Sequence, residues 1–228
     1  VAEPLPSHES GPTATLNVLE ASRRAGVRRV MIAASSSAYG ESPTLPKVET
    51  MLPDPLSPYA AGKLAGEHYV RVYARTMGLD GVSLRYFNVF GPRQDPSSPY
   101  SGVISLFIKA MARGDQPRIY GDGTQTRDFT YIADVVRANL AAMRRETPLE
   151  GRALNVGGGR RVSLLDLVAA LNAILGTDLR PEFQPARAGD VRDSLAGLER
   201  IAEELGYKPS VDFAEGLRRT VASVVEAG

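Results

Sequence analysis

The sequence predicts an α/β protein: a parallel sheet with helices packed on it, followed by a smaller α/β lobe. Three observations predict this. Helical and strand-like segments alternate through the first part of the chain. The strand-like segments are continuously apolar rather than alternating, as strands buried on both faces are. Beyond about residue 90 the pieces become shorter and less regular, as in a lobe added to a sheet. The expected division is therefore 1–90 for the sheet and 91–228 for the lobe, with elements near 131–160 returning to the sheet.

The elements follow in order. TATLNVLEASRRAG reads as an amphipathic helix with Leu16, Leu19 and Ala25 among its apolar positions and Gly26 as its C-cap. Residues 30–34 form the first buried strand, and its carboxyl end runs into Ser35, Ser36 and Ser37. A proline-rich loop, ESPTLPKVETMLPDPLSP, shows no periodicity. Ser57 then stands as an N-cap with Pro58 at the first helical position, opening a helix to about Thr76. VSLRYF, residues 82–87, is the next strand, and FNVFGPRQDPSSPYSG is a loop. SLFIKAMARG, ADVVRANLAAMRR and SLLDLVAALNAILG read as helices, ALNVG as a strand, and IYGDGTQTRDFTYI as two short strands around a turn. A last helix starts near Phe213.

Composition narrows the function. The 228 residues carry 27 Lys plus Arg and 26 Asp plus Glu, and a net charge of +1 argues against nucleic-acid binding through bulk charge. The sequence has no cysteine, which excludes disulfides, zinc–thiolate sites and a thiol nucleophile. His8 and His68, the two histidines, are too few for a histidine-rich metal site. No apolar run approaches the ~18 residues of a membrane helix. VAEPLPSHES lacks the regions of a signal peptide, so a cytoplasmic protein is expected.

The chemistry gathers at the carboxyl ends of strands, where open parallel sheets bind ligands. One strand ends at Ser35, the next at Asn88, and between them lies the helix of SPYAAGK, with Tyr59 and Lys63 at i,i+4 on one face. A free phenol has a pKa near 10, so serving as a base near pH 7 requires a stabilisation of roughly 4 kcal/mol. A unit positive charge about 4 Å away supplies about 4 kcal/mol at an effective dielectric of about 20, less what desolvation removes. The same spacing also fits an ordinary surface pair. Asp122-Gly123 fits a plain hairpin turn, and residues 187–190 fit a polar loop.

Taken in order, AASSSAYGES, LPKVE, PLSPYAAGK, LRYFNVFGPRQDP, IYGDGTQTRDFTYIADV and RAGDVRDSLA resemble the extended short-chain dehydrogenase/reductase family. Within it they most resemble UDP-sugar 4-epimerases, especially those acting on UDP-N-acetylglucosamine. The resemblance implies a Rossmann-type sheet and a nucleotide-sugar lobe. It also implies NAD as cofactor, with reversible hydride transfer at C4 through a 4-keto sugar. Tyr59 becomes the base and acid, Lys63 eases its ionisation and holds the nicotinamide ribose, and Ser35 assists proton transfer. Phe87 touches the cofactor. Ser36, Ser37 and Asn88 fall among the substrate-binding positions, Arg127 and Arg187 on the diphosphate, Tyr120 near the uracil and Asp190 near the ribose. A homodimer is expected. Related dehydratases carry an Asp-Glu pair where this chain has Ser36 and Ser37, so water elimination has no evident catalyst.

The same resemblance implies a missing part. The family opens with a strand, a GxxGxxG turn and a helix that holds the pyrophosphate, and no GxxGxxG occurs here. VGGGRR, after the ALNVG strand, comes too late to serve. Gly11-Pro12-Thr13-Ala14-Thr15 stands where the family has Asn-x-x-Gly-Thr. On the order of eighty residues, two or more βαβ units, are expected to be absent. The chain alone is then expected to have an exposed sheet edge and to associate abnormally. An alternative function is a non-catalytic UDP-sugar-binding remnant.

Overall fold

The computed structural model describes residues 4–95, 102–186 and 191–225. The first helix begins earlier than its periodicity predicts. α1 (Pro4–His8) passes through a π-type turn (Glu9–Thr13) into α2 (Ala14–Arg24). Pro12 lacks an N–H and cannot join a regular helical ladder; the wider turn takes it up. Pro12 is buried and packs on the following helix, where a Cβ at Gly62 would stand 3.3 Å from its Cδ.

The sheet consists of β1 (Arg29–Ser35), β2 (Asp80–Tyr86) and β7 (Arg152–Val156), all parallel and in the order β1-β2-β7. The register sets Ser35 beside Tyr86 and Tyr86 beside Val156, so three strand ends finish level. Among the described residues no strand pairs with the outer edge of β1. Between β1 and β2 runs α3 (Pro58–Thr76), capped by the Ser57 side chain, which accepts from Ala60 N at 3.1 Å. Its buried face carries Gly62, which lies against Pro12, and Gly66, which lies against Thr15 of α2 and Ile32 of β1.

A buried ion pair fixes α3 to the sheet. Arg85, in β2, donates two parallel bonds to Glu67 of α3, at 2.7 and 2.9 Å. Its guanidinium also lies 4.8 Å from the Tyr39 ring. At the other end of the strand Arg29 pairs with Asp80 at 2.5 Å and donates to the carbonyls of Ala142, Arg145 and Thr147.

The rest of the chain builds around β3 (Val89–Phe90), α4 (Val103–Met111), β4 (Arg118–Tyr120), β5 (Thr126–Arg127), β6 (Thr130–Tyr131) and α5 (Ile132–Arg144). After β7 come β8 (Val162–Ser163), α6 (Leu164–Leu175), β9 (Glu182–Gln184), α7 (Glu199–Leu205) and α8 (Phe213–Val225). One core packs α5 and α7 on the sheet through Val82, Leu84, Ala138, Leu154 and Ile201. Another joins α4, α6 and α8 through Phe107, Ile108, Leu167, Leu171 and Leu217.

The pair of strands expected around Asp122-Gly123 is not a hairpin. Three short strands stand there, and each pairs elsewhere: β4 with β9, β5 with β8, and β6 with β3. The turn itself is real, since the Asp122 carboxylate accepts from Thr124 N at 2.9 Å and Gly123 has φ +81. It serves to direct the chain toward distant partners rather than back on itself. Among the described residues no helix is long and apolar enough to cross a membrane.

Candidate active site

A cavity of about 550 Å³ opens where β1 and β2 end. Ser35, Ser36, Ser37, Tyr59, Lys63, Phe87, Asn88 and Arg127 all line it. Tyr120 lines an adjoining cavity of about 710 Å³, which meets the first at Arg127. The larger cavity carries neither Tyr59 nor Lys63, so the smaller one is the candidate reaction site. Arg187 and Asp190 lie outside the described residues.

Each group has an identifiable mount. Ser35 ends β1 and caps the turn Ser36–Tyr39, accepting from Ser37 N at 3.2 Å and from Ser37 Oγ at 2.8 Å. Its own proton has no acceptor among the described residues and is available to the cavity. Lys63 donates to the Ala33 carbonyl at 2.8 Å, which leaves two ammonium protons without a described acceptor. Its Nζ stands 5.7 Å from the centre of the Tyr59 ring, and burial pulls its pKa below the usual lysine value. Tyr59 is 42% exposed and presents its ring to the cavity.

The opposite wall is held by tertiary hydrogen bonds. Phe87 is fully buried, and its N–H donates to Val156 O at 3.0 Å. Asn88 donates its amide to Asp128 O at 3.2 Å and to Ser194 Oγ at 3.4 Å. Arg127 Nη1 is aimed by the carbonyls of Thr126 and Arg192, at 3.0 and 2.9 Å. Behind them, the Asp128 carboxylate is buried and pushed up to about 6 by that burial. The amides of Ala196, Gly158 and Gly159 donate to it and oppose the rise.

Among the lining residues that sequence reasoning missed are Lys47 and Ser194. Lys47 is buried, and its ammonium donates to Ser42 O. Its backbone pairs with the segment around Ala196. Both residues lie in the quoted stretches LPKVE and RAGDVRDSLA, yet nothing local announces that these two loops meet. Among the described residues no cluster of His, Asp or Glu could hold a metal ion.

The strand-end serine and the Tyr–Lys helix thus open on one cavity, as the family resemblance implies. The chain belongs to the NAD dependent epimerase/dehydratase family, whose profile matches residues 2–157. The UDP-glucose 4-epimerase of Mycolicibacterium smegmatis is 42% identical over 208 residues, which make up 91% of this chain and 66% of that protein. The chain thus spans about two thirds of the length of the curated relatives it matches. The UDP-N-acetylglucosamine 4-epimerase of Methanobrevibacter ruminantium, solved with UDP-N-acetylmuramic acid, superposes with a TM-score of 0.95 at 37% identity. It is matched over 100% of this chain and 73% of its own. UDP-glucose 4-epimerase from Thermotoga maritima with UDP-glucose gives a TM-score of 0.95 at 38% identity, with the same coverage.

The family is NAD-dependent. The described residues fit one half of that cofactor: Lys63 offers two free ammonium protons beside the wall made by Phe87. They do not include a cradle for its pyrophosphate. The VGGG turn after β7 cannot serve, because the amides of Gly158 and Gly159 already bind the Asp128 carboxylate.

Proposed function

We propose that this chain carries the catalytic groups and the nucleotide-sugar site of a cytoplasmic, homodimeric UDP-sugar 4-epimerase. The observation that carries this reading is the convergence of Ser35, Tyr59 and Lys63 on one cavity that no described carboxylate lines. The missing carboxylates weigh against dehydration and decarboxylation, which need an acid or base at C5 or C6. Relatives named for UDP-glucose and UDP-N-acetylglucosamine epimerisation support the substrate class.

In this reading Tyr59 takes the proton from the sugar 4-hydroxyl and later returns it. Lys63, fixed by the Ala33 carbonyl, stands with its Nζ 5.7 Å from the centre of the Tyr59 ring. Ser35 donates its unused proton to the same sugar oxygen. NAD, when bound, supplies a reversible acceptor for the C4 hydride, and Lys63 and Phe87 would hold its nicotinamide end. Arg127 presents a planar fork to the diphosphate, with Asn88 beside it. The uridine lies in the adjoining cavity near Tyr120, with Asp190 at its ribose and Arg187 joining Arg127 on the diphosphate, both outside the described residues. Ser36 and Ser37 border the hexose, which the diphosphate grip leaves able to turn over. Residues 1–90, with the elements near 131–160, serve the cofactor side, and 91–228 mainly the nucleotide sugar.

A second reading, UDP-sugar binding without turnover by these residues alone, is favoured by the Gly158 and Gly159 amides, which bind the Asp128 carboxylate rather than standing open to a pyrophosphate. Calorimetric titration of NAD and of UDP-N-acetylglucosamine in parallel separates the two. Binding of both supports the epimerase. Binding of the UDP-sugar alone supports the second reading, and binding of neither overturns both.

A further inference from the structure

We infer that Asp128 is a positioning residue for the diphosphate of the nucleotide sugar, acting as an internal anion that draws four pocket segments together. The inference rests on the proposed UDP-sugar site.

Asp128 follows Arg127 directly and lies in the two-residue gap between β5 and β6. Its side chain is fully buried. Oδ1 accepts from Gly158 N at 2.7 Å, while Oδ2 accepts from Gly159 N at 3.1 Å and from Ala196 N at 2.9 Å. Two successive amides converging on one anion form the type of concavity that elsewhere holds a phosphate. Here the chain's own carboxylate fills it. The fit is close: a Cβ at Gly157 would lie 2.9 Å from Oδ2, and one at Gly158 would lie 3.1 Å from Oδ1.

The backbone of Asp128 extends the clamp. Its N–H donates to Ser194 Oγ at 3.2 Å, and its carbonyl accepts from Asn88 Nδ2 at 3.2 Å. Ser194 Oγ also receives Asn88 Nδ2 at 3.4 Å. One residue thereby joins the end of β2, the turn after β7, the segment at 194–196 and the strand that carries Arg127. Asn88, Arg127 and Ser194 all line the candidate site.

The chemistry of the partners argues for position rather than stability. Among the described residues no cation partners the carboxylate, and burial raises its pKa despite three amide bonds. A fold gains little from a charge kept this way; what it gains is a fixed geometry for the residues on either side. Asp128→Asn keeps the shape but turns one acceptor into a donor facing an N–H.

The test is calorimetric titration of UDP-N-acetylglucosamine into the protein and into Asp128→Asn, well below the melting temperature of each. The expected result is a Kd raised about tenfold or more, the effect of leaving one buried polar group unmatched. Ser194→Ala, which leaves the carboxylate intact, is expected to weaken binding in the same direction by about threefold, the loss of one ordinary hydrogen bond. A merely structural role would lower the melting temperature and leave the Kd of the folded protein unchanged, and that result overturns the inference alone. If Asp128→Asn does not fold, Ser194→Ala decides: weakened binding supports the clamp, and wild-type affinity overturns it. Failure of the unmodified protein to bind overturns the UDP-sugar reading and this inference with it.

Discussion

The two walls of the candidate site are built in different ways. On one wall, Ser35, Tyr59 and Lys63 ride on β1 and on α3, a 19-residue helix. On the other, Asn88, Arg127 and Ser194 sit in loops or on strands of two residues and keep their places through contacts with chain far away in sequence. In the proposed reading the first is the proton-transfer wall and the second the substrate wall; the first is rigid because its elements are long and packed. The substrate wall is rigid only while the Asp128 cluster holds. Proton transfer fails if its groups shift slightly, whereas a wall that grips a substrate must also release it.

The largest expected effect is on the rigid wall. Glu67→Ala leaves the Arg85 guanidinium, 3% exposed, without its carboxylate. Removing one partner of a buried ion pair costs about 3–5 kcal/mol. At about 2–4 °C per kcal/mol the melting temperature should fall by roughly 10 °C or more. Replacing both residues, Glu67→Leu with Arg85→Met, should recover much of that loss. A loss below about 1 kcal/mol in Glu67→Ala would mean that α3 is not fixed by this pair.

The substrate wall should respond to pH with the opposite sign to most carboxylates. Asp128 has a folded pKa of about 6, above its ordinary 3.8. Between those values the folded state holds a proton that the unfolded state has lost, so this group's contribution to stability declines as pH rises from about 4 to 6 and is constant above. The difference corresponds to about 3 kcal/mol. Glu20 and Asp122, both held down at about 2 by hydrogen bonds, act in the other direction below about pH 4. Subtracting the pH profile of Asp128→Asn from that of the unmodified protein isolates the Asp128 term. A difference that is flat between pH 4 and 6 would contradict the burial cost assigned to Asp128.

The same contrast explains what the sequence disclosed. The Ser57-Pro58 cap, the apolar strands and the helices carry local signals, so the mount of Tyr59 and Lys63 was legible from spacing alone. The start of the chain was less legible: helical structure begins at Pro4 and takes in Pro12 through a π-type turn, ahead of the periodic stretch TATLNVLEASRRAG. The strands around Asp122 misled for another reason. A turn signal is local, but the partners of β4, β5 and β6 come from 182–184, 162–163 and 89–90. β9 and α7 went unread, being short and weakly patterned. Arg127 was singled out only through family resemblance, and Lys47 and Ser194 not at all, because the contacts that bring them to the cavity span over a hundred residues.

The central claim is that Tyr59, beside Lys63, moves the proton of the sugar 4-hydroxyl. Its most direct test is Tyr59→Phe in a 4-epimerisation assay with UDP-glucose and UDP-N-acetylglucosamine, the Kd of each being measured alongside. The account predicts a fall in kcat of about 10²–10⁴-fold, the usual worth of a positioned general base, with UDP-sugar affinity changed little. Unchanged turnover in Tyr59→Phe would contradict it.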